Sequence, residues 1–101
     1  MTYRNSIAAL ADPTRRRLFE LLRRRPRAVG ELARYLRVTQ PAVSQHLAVL
    51  RRARLVRSRP DGRRRLYQPD PAGIAALREY VDRMWTDVLR AYAKSFEESG
   101  T

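Results

Sequence analysis

Apolar positions recur along this chain at helical spacing, pass into a short extended pattern, and return to helical spacing to the end. Tyr3, Ile7 and Leu10 predict one apolar stripe on a short helix over residues 3–11. Asp12-Pro13 restarts the chain, because Asp caps a helix N-terminus and Pro fits the first helical position. A second helix is expected over 13–24, with Leu18, Leu21 and Leu22 turned inward and Pro26 ending it. A third spans 30–36, with Leu32, Ala33 and Leu36 inward. Arg37-Val38-Thr39 is the next turn, in which Val38 is expected to plug the core. Thr39 reads as the N-cap of a fourth helix, Gln40 to Ala53, with Pro41 in its first turn, where a missing N–H costs nothing. Val43, Leu47 and Leu50 stand at i, i+4 and i+7 and fix its buried face.

The period then shortens. Leu55 to Arg59 reads as a strand, and Arg63 to Gln68 as its return. Pro60-Asp61-Gly62 is the turn between them, since Asp-Gly tolerates the positive φ of a hairpin. Asp70-Pro71 repeats the cap-plus-proline signal and opens a last helix over 71–98. Its apolar residues include Ile74, Leu77, Val81, Met84, Trp85, Val88, Leu89, Tyr92 and Phe96. That stripe is wider than a small domain can cover by itself. Part of it should close the core, and the rest should face a second copy, with Tyr3, Ile7 and Leu10 as neighbours. The expected architecture is mainly α with a small β-hairpin: four helices, two strands and a long helix. This is a winged helix-turn-helix occupying residues 1–101 as one domain, a homodimer through its terminal helices.

Such a layout has a functional consequence. A second helix after a tight turn is the right size for the major groove of DNA. The face opposite Val43, Leu47 and Leu50 is Gln40, Ser44, Gln45, Ala48 and Arg51, polar with small gaps. Gln40, Ser44 and Gln45 are placed to reach base edges, and glutamine can pair bidentately with adenine. Thr39 and Pro41 belong to the same helix start. His46, the lone histidine, either touches DNA or hydrogen-bonds within the domain. Arg51, Arg59, Arg63, Arg64 and Arg65 would supply electrostatic grip on phosphates.

Charge sharpens this picture. The net charge of the 101 residues is +12. Residues 1–69 hold 18 arginines against 4 acids, while residues 70–101 hold 4 basic residues and 6 acids. The basic field therefore covers the DNA-reading part and spares the last helix, as suits a surface that packs on protein. An architectural DNA-binding protein of low sequence preference would share the charge, but it needs no polar, short-side-chain reading face. Cysteine is absent, which excludes disulfides and thiolate metal sites. Neither a membrane-length apolar run nor a signal-peptide core is legible, so a cytoplasmic protein is expected. No nucleophile–base pair, metal cluster or glycine-rich phosphate loop points to catalysis.

The chain resembles the ArsR/SmtB family of bacterial winged-helix repressors over nearly its whole length. The resemblance rests on Ile7-Ala8-Ala9-Leu10-Ala11-Asp12-Pro13-Thr14-Arg15-Arg16, on Glu31-Leu32-Ala33, on Gln40-Pro41-Ala42-Val43-Ser44-Gln45-His46-Leu47, and on Leu55-Val56 followed by Gly62-Arg63. It implies a homodimer on an inverted-repeat operator in double-stranded DNA, released by an inducer. Ala28 and Gly30 stand where metal-sensing members carry a Cys-x-Cys. Asp82 and Glu98 fit the spacing of a second zinc site, but Met84 and Ser95 replace its imidazoles. Two carboxylates without nitrogen ligands suit zinc poorly. The resemblance therefore implies a branch with no metal or other cofactor, whose inducer the sequence does not name.

Overall fold

A computed structural model describes residues 3–99, the side chains of Tyr3, Arg4 and Ser99 excepted. Its elements are α1 (Tyr3–Ala11), α2 (Pro13–Arg24), α3 (Val29–Leu36), α4 (Gln40–Arg52), β1 (Val56–Asp61), β2 (Arg64–Pro69) and α5 (Pro71–Ser99). The expected order is thus observed. Each predicted restart is a side-chain cap. Asp12 accepts the N–H of Arg15 at 3.0 Å, and Thr39 accepts that of Ala42 at 3.2 Å. Asp70 accepts the N–H of Ala72 at 3.1 Å. Each bond satisfies a donor that the first helical turn leaves without a partner.

The core lies where α2, α3 and α4 meet. Leu18, Leu22, Leu32, Val43, Leu47, Leu50, Leu55 and Val56 are fully buried there. Ile74 and Leu77 of α5 close it, and every residue from Val81 to Glu98 is exposed. The last helix is thus divided into a part that covers the core and a part that is exposed.

Several local expectations are corrected. The predicted stripe on α1 does not form one face. Ile7 is half exposed, Leu10 packs partly on the core, and the buried positions are Ser6 and Ala9. The Tyr3 side chain lies outside the described residues. Ser6 is buried because its Oγ donates to the Ala53 carbonyl at 3.1 Å, joining α1 to the end of α4. Val38 is no plug. It is exposed, and it serves the turn through its backbone, donating N–H to the Ala33 carbonyl. Leu36 does face inward, half buried and packed against the core.

The hairpin is also shifted. Pairing runs from Val56↔Pro69 to Asp61↔Arg64, so the two-residue loop is Gly62-Arg63, with Gly62 at φ 63°. Pro60 therefore lies inside β1. A two-stranded sheet leaves each strand an open edge, so a missing N–H need not break a ladder bond. A third strand fragment joins from the α2–α3 loop: Arg27 N–H donates to the Tyr67 carbonyl at 3.1 Å, and Tyr67 N–H returns to the Arg27 carbonyl at 2.8 Å.

Candidate nucleic-acid interface

Burying Val43, Leu47 and Leu50 turns the other side of α4 outward. Thr39, Gln40, Pro41, Ser44, Gln45 and Arg51 are all exposed, as the predicted reading face requires. Ala48 is half buried between them and leaves a gap. Two hollows flank this face. One, of about 270 Å³, brings Gln40 beside Gly30, Arg64, Arg65 and Tyr67. The other, of about 400 Å³, is lined by Ser44, Ala48, Arg51, Arg52 and Tyr67. Tyr67 stands in both, so β2 borders the hollows beside the reading helix, while β1 packs on α4 and β2 on α2 and α3.

Arg59, Arg63, Arg64 and Arg65 are exposed around the hairpin. Arg64 Nε lies 3.2 Å from Asp61 Oδ2, and Arg65 Nε donates to Ser58 Oγ at 3.1 Å. Both residues of the Arg64–Asp61 pair are exposed, so the pair contributes little stability and leaves Arg64 available to a phosphate. Among the described residues, Arg59 and Arg63 make no ion pair.

His46 is half buried on α4. The Asp12 carboxyl is held below the ordinary aspartate range, mainly by the N–H of Arg15, with burial opposing and the charges of Arg15 and His46 assisting.

Sequence reading missed three participants. Arg52 shares the hollow with Ser44, and its position one turn after Ala48 was a usable signal. Tyr67 was read only as a strand residue; nothing local marks its place in the hollows beside α4. Arg27 was passed over within a run of arginines. It is buried, with Nε donating to the Leu21 carbonyl at 3.1 Å and Nη1 to Glu31 at 3.0 Å. Arg25 also pairs with Glu31. Burial acts to raise the Glu31 carboxyl, yet the hydrogen bond from Arg25 and the charges of Arg25 and Arg27 outweigh it and hold the group below the ordinary glutamate range. Its stabilising contribution is therefore complete at neutral pH and fades only as acid carries the pH through and below the ordinary value of about 4.3.

Among the described residues, no three His, Cys, Asp or Glu side chains come close enough to hold a metal ion. Asp82 and Glu98 face Arg78 and Lys94 at 3.8 and 4.0 Å. No described helix is long and apolar enough to cross a membrane.

A capped helix with a polar outer face, set after a tight turn and beside an arginine-rich hairpin, defines a winged helix-turn-helix DNA-binding protein. Residues 12–58 match the family described as "Bacterial regulatory protein, arsR family". The chain is 59% identical over 92 residues to the HTH-type transcriptional regulator Rv2034 of Mycobacterium tuberculosis, covering 91% of this chain and 86% of that protein. It is 45% identical over 78 residues to the transcriptional repressor SmtB homolog of Synechocystis, covering 76% of this chain and 59% of that one. An ArsR-like transcriptional regulator from Rhodococcus superposes with a TM-score of 0.87 at 26% identity, over 98% of this chain and 93% of that chain. The chain belongs to the ArsR/SmtB family of DNA-binding transcriptional regulators, a family of regulators and not of enzymes.

Proposed function

We propose that this regulator is a dimeric repressor that reads an inverted-repeat operator, with residues 1–101 acting as one DNA-binding unit and α5 as its dimerisation helix. The observation that carries this reading is the exposed Gln40–Ser44–Gln45 face of α4, with the wing arginines gathered beside it around Tyr67. Gln40, Ser44 and Gln45 read base edges. Pro41 keeps the helix start close to the groove floor, and Thr39 holds that start in shape. Arg51, Arg59, Arg63, Arg64 and Arg65 grip phosphates, and His46 bounds the face on the α2 side. The Synechocystis relative is named a repressor, which supports that sign of regulation. Ile7, Leu10, Val81, Met84, Trp85, Val88, Leu89, Tyr92 and Phe96 form the proposed dimer surface, with Tyr3 its expected extension.

Two substitutions test the division of labour. Gln45→Ala should lower preference for the best site by about 1–3 kcal/mol and leave random-DNA affinity unchanged. Arg64→Ala should weaken both and reduce the salt slope by about one. Equal effects of each substitution on specific and random DNA would sink the assignment of readers and grips.

A further inference from the structure

Arg27, in the loop between α2 and α3, joins three elements: α2, α3 and β2. Its guanidinium donates to the Leu21 carbonyl of α2 and to Glu31 of α3, and its carbon lies 5.9 Å from the centre of the Tyr35 ring. Its backbone exchanges two hydrogen bonds with Tyr67 of β2. Arg25 grips the same Glu31 from outside. A buried guanidinium held at both Nε and Nη1 is costly to move, because the Leu21 carbonyl loses its donor and the charge loses the Glu31 carboxylate. The loop backbone at residue 27 is therefore fixed against α2 and α3. Tyr67 is fixed against that loop, and Tyr67 lines both hollows between the wing and α4. Arg65 and Arg64 lie two and three residues from Tyr67 on the same strand.

We propose that Arg27 is a positioning residue for DNA binding: it sets the placement of the wing against the reading helix, and so brings the wing arginines and the α4 face onto one duplex together. The proposal rests on the reading of α4 and the wing given above and deepens it. Arg27 itself touches no DNA. Its guanidinium is turned inward, so its effect on binding passes through Tyr67.

The test uses the full chain on its best selected site and on random DNA, across a salt series. An Arg64→Ala, Arg65→Ala protein comes first and measures the wing's share of the salt slope. Arg27→Met keeps an unbranched side chain and removes the donors. Its Tyr67 amide should exchange with solvent at least tenfold faster, while Leu47 and Leu50 of α4 exchange as in the wild type. Affinity should fall about tenfold on both DNAs, and the salt slope should fall by the wing's share. The penalty for changing the base pair under Gln45 should keep its wild-type size. Arg27→Lys retains one charged donor for Glu31 and should recover part of the loss. If circular dichroism shows Arg27→Met unfolded, Glu31→Gln supplies a weakened clamp, with the same changes expected at about threefold. Exchange that quickens equally in α4 and the wing, with erosion of the base-pair penalty, would mean a structural role only and would overturn the proposal. So would fast Tyr67 exchange with an unchanged salt slope. An unchanged slope in the Arg64→Ala, Arg65→Ala protein overturns the wing's phosphate role itself, and is distinguishable because no Arg27 variant enters it.

Discussion

Arg37 and Arg54 hold φ angles of 58° and 63°, a region where an L side chain costs about 1–2 kcal/mol and where helices usually end on glycine. Both close helix C-termini. Val38 N–H reaches back to the Ala33 carbonyl after α3, and Leu55 N–H reaches the Leu50 carbonyl after α4. The one glycine that packing demands stands elsewhere. A Cβ on Gly73 would lie 1.6 Å from the Arg54 carbonyl oxygen, which no side-chain adjustment relieves. Opposite effects are therefore expected in chemical denaturation. Arg37→Gly should raise stability by about 0.5–1 kcal/mol, the relieved strain being partly offset by a freer unfolded chain. Gly73→Ala should cost roughly 3 kcal/mol by forcing α5 away from the turn that follows α4. Wild-type stability in Gly73→Ala would show that this contact is not tight.

At the scale of elements, α5 has two parts with different solvents. Ile74 and Leu77 are spent on the core, while Val81, Met84, Trp85, Val88, Leu89, Tyr92 and Phe96 are exposed. Tyr92 and Phe96 already pack edge to face at 4.8 Å, and Ile7 of α1 is half exposed as well. An exposed apolar surface of that extent marks an interaction site. Because Trp85 is 60% exposed, a charge there costs the single protomer little, and its cost falls on the assembly. Trp85→Glu and Leu89→Glu, made separately, should include at least one folded monomer by sedimentation, with helical circular dichroism retained. That monomer should bind the operator far more weakly, since one half-site supplies only part of the contacts. Wild-type protein that sediments as a monomer at micromolar concentrations would remove the basis for a dimer.

The whole molecule is long for its size. Its radius of gyration is 18.0 Å, against about 13 Å for a compact chain of this length. The excess comes from α5, whose 29 residues reach about 43 Å. A two-fold assembly through that helix presents two copies of α4, so sites selected from random DNA should show dyad symmetry with half-site centres about 10 bp apart. The same assembly should ignore zinc and arsenite. Ala28 and Gly30 offer no thiolates, and Asp82 and Glu98 have cations opposite them instead of imidazoles. Release of DNA at micromolar zinc without precipitation would contradict this.

The sequence by itself determined the element order, the helix starts, the buried face of α4 and the outward face opposite it. These depend on short-range rules: an Asp or Thr cap bonds within three residues, and Val43, Leu47 and Leu50 share a face through helical geometry alone. The surplus stripe of α5 was legible for the same reason. Tertiary structure decided what local pattern could not express. Pro60 entered β1 because the sheet has only two strands. Ser6 displaced the expected stripe because an acceptor, Ala53, waits 47 residues away. Arg27 looks like any other member of an arginine run until folding brings Leu21, Glu31 and Tyr67 around it. The Arg27 side chain finds its partners within eight residues, but its backbone pairs with Tyr67, 40 residues on, and only the folded chain brings the two together.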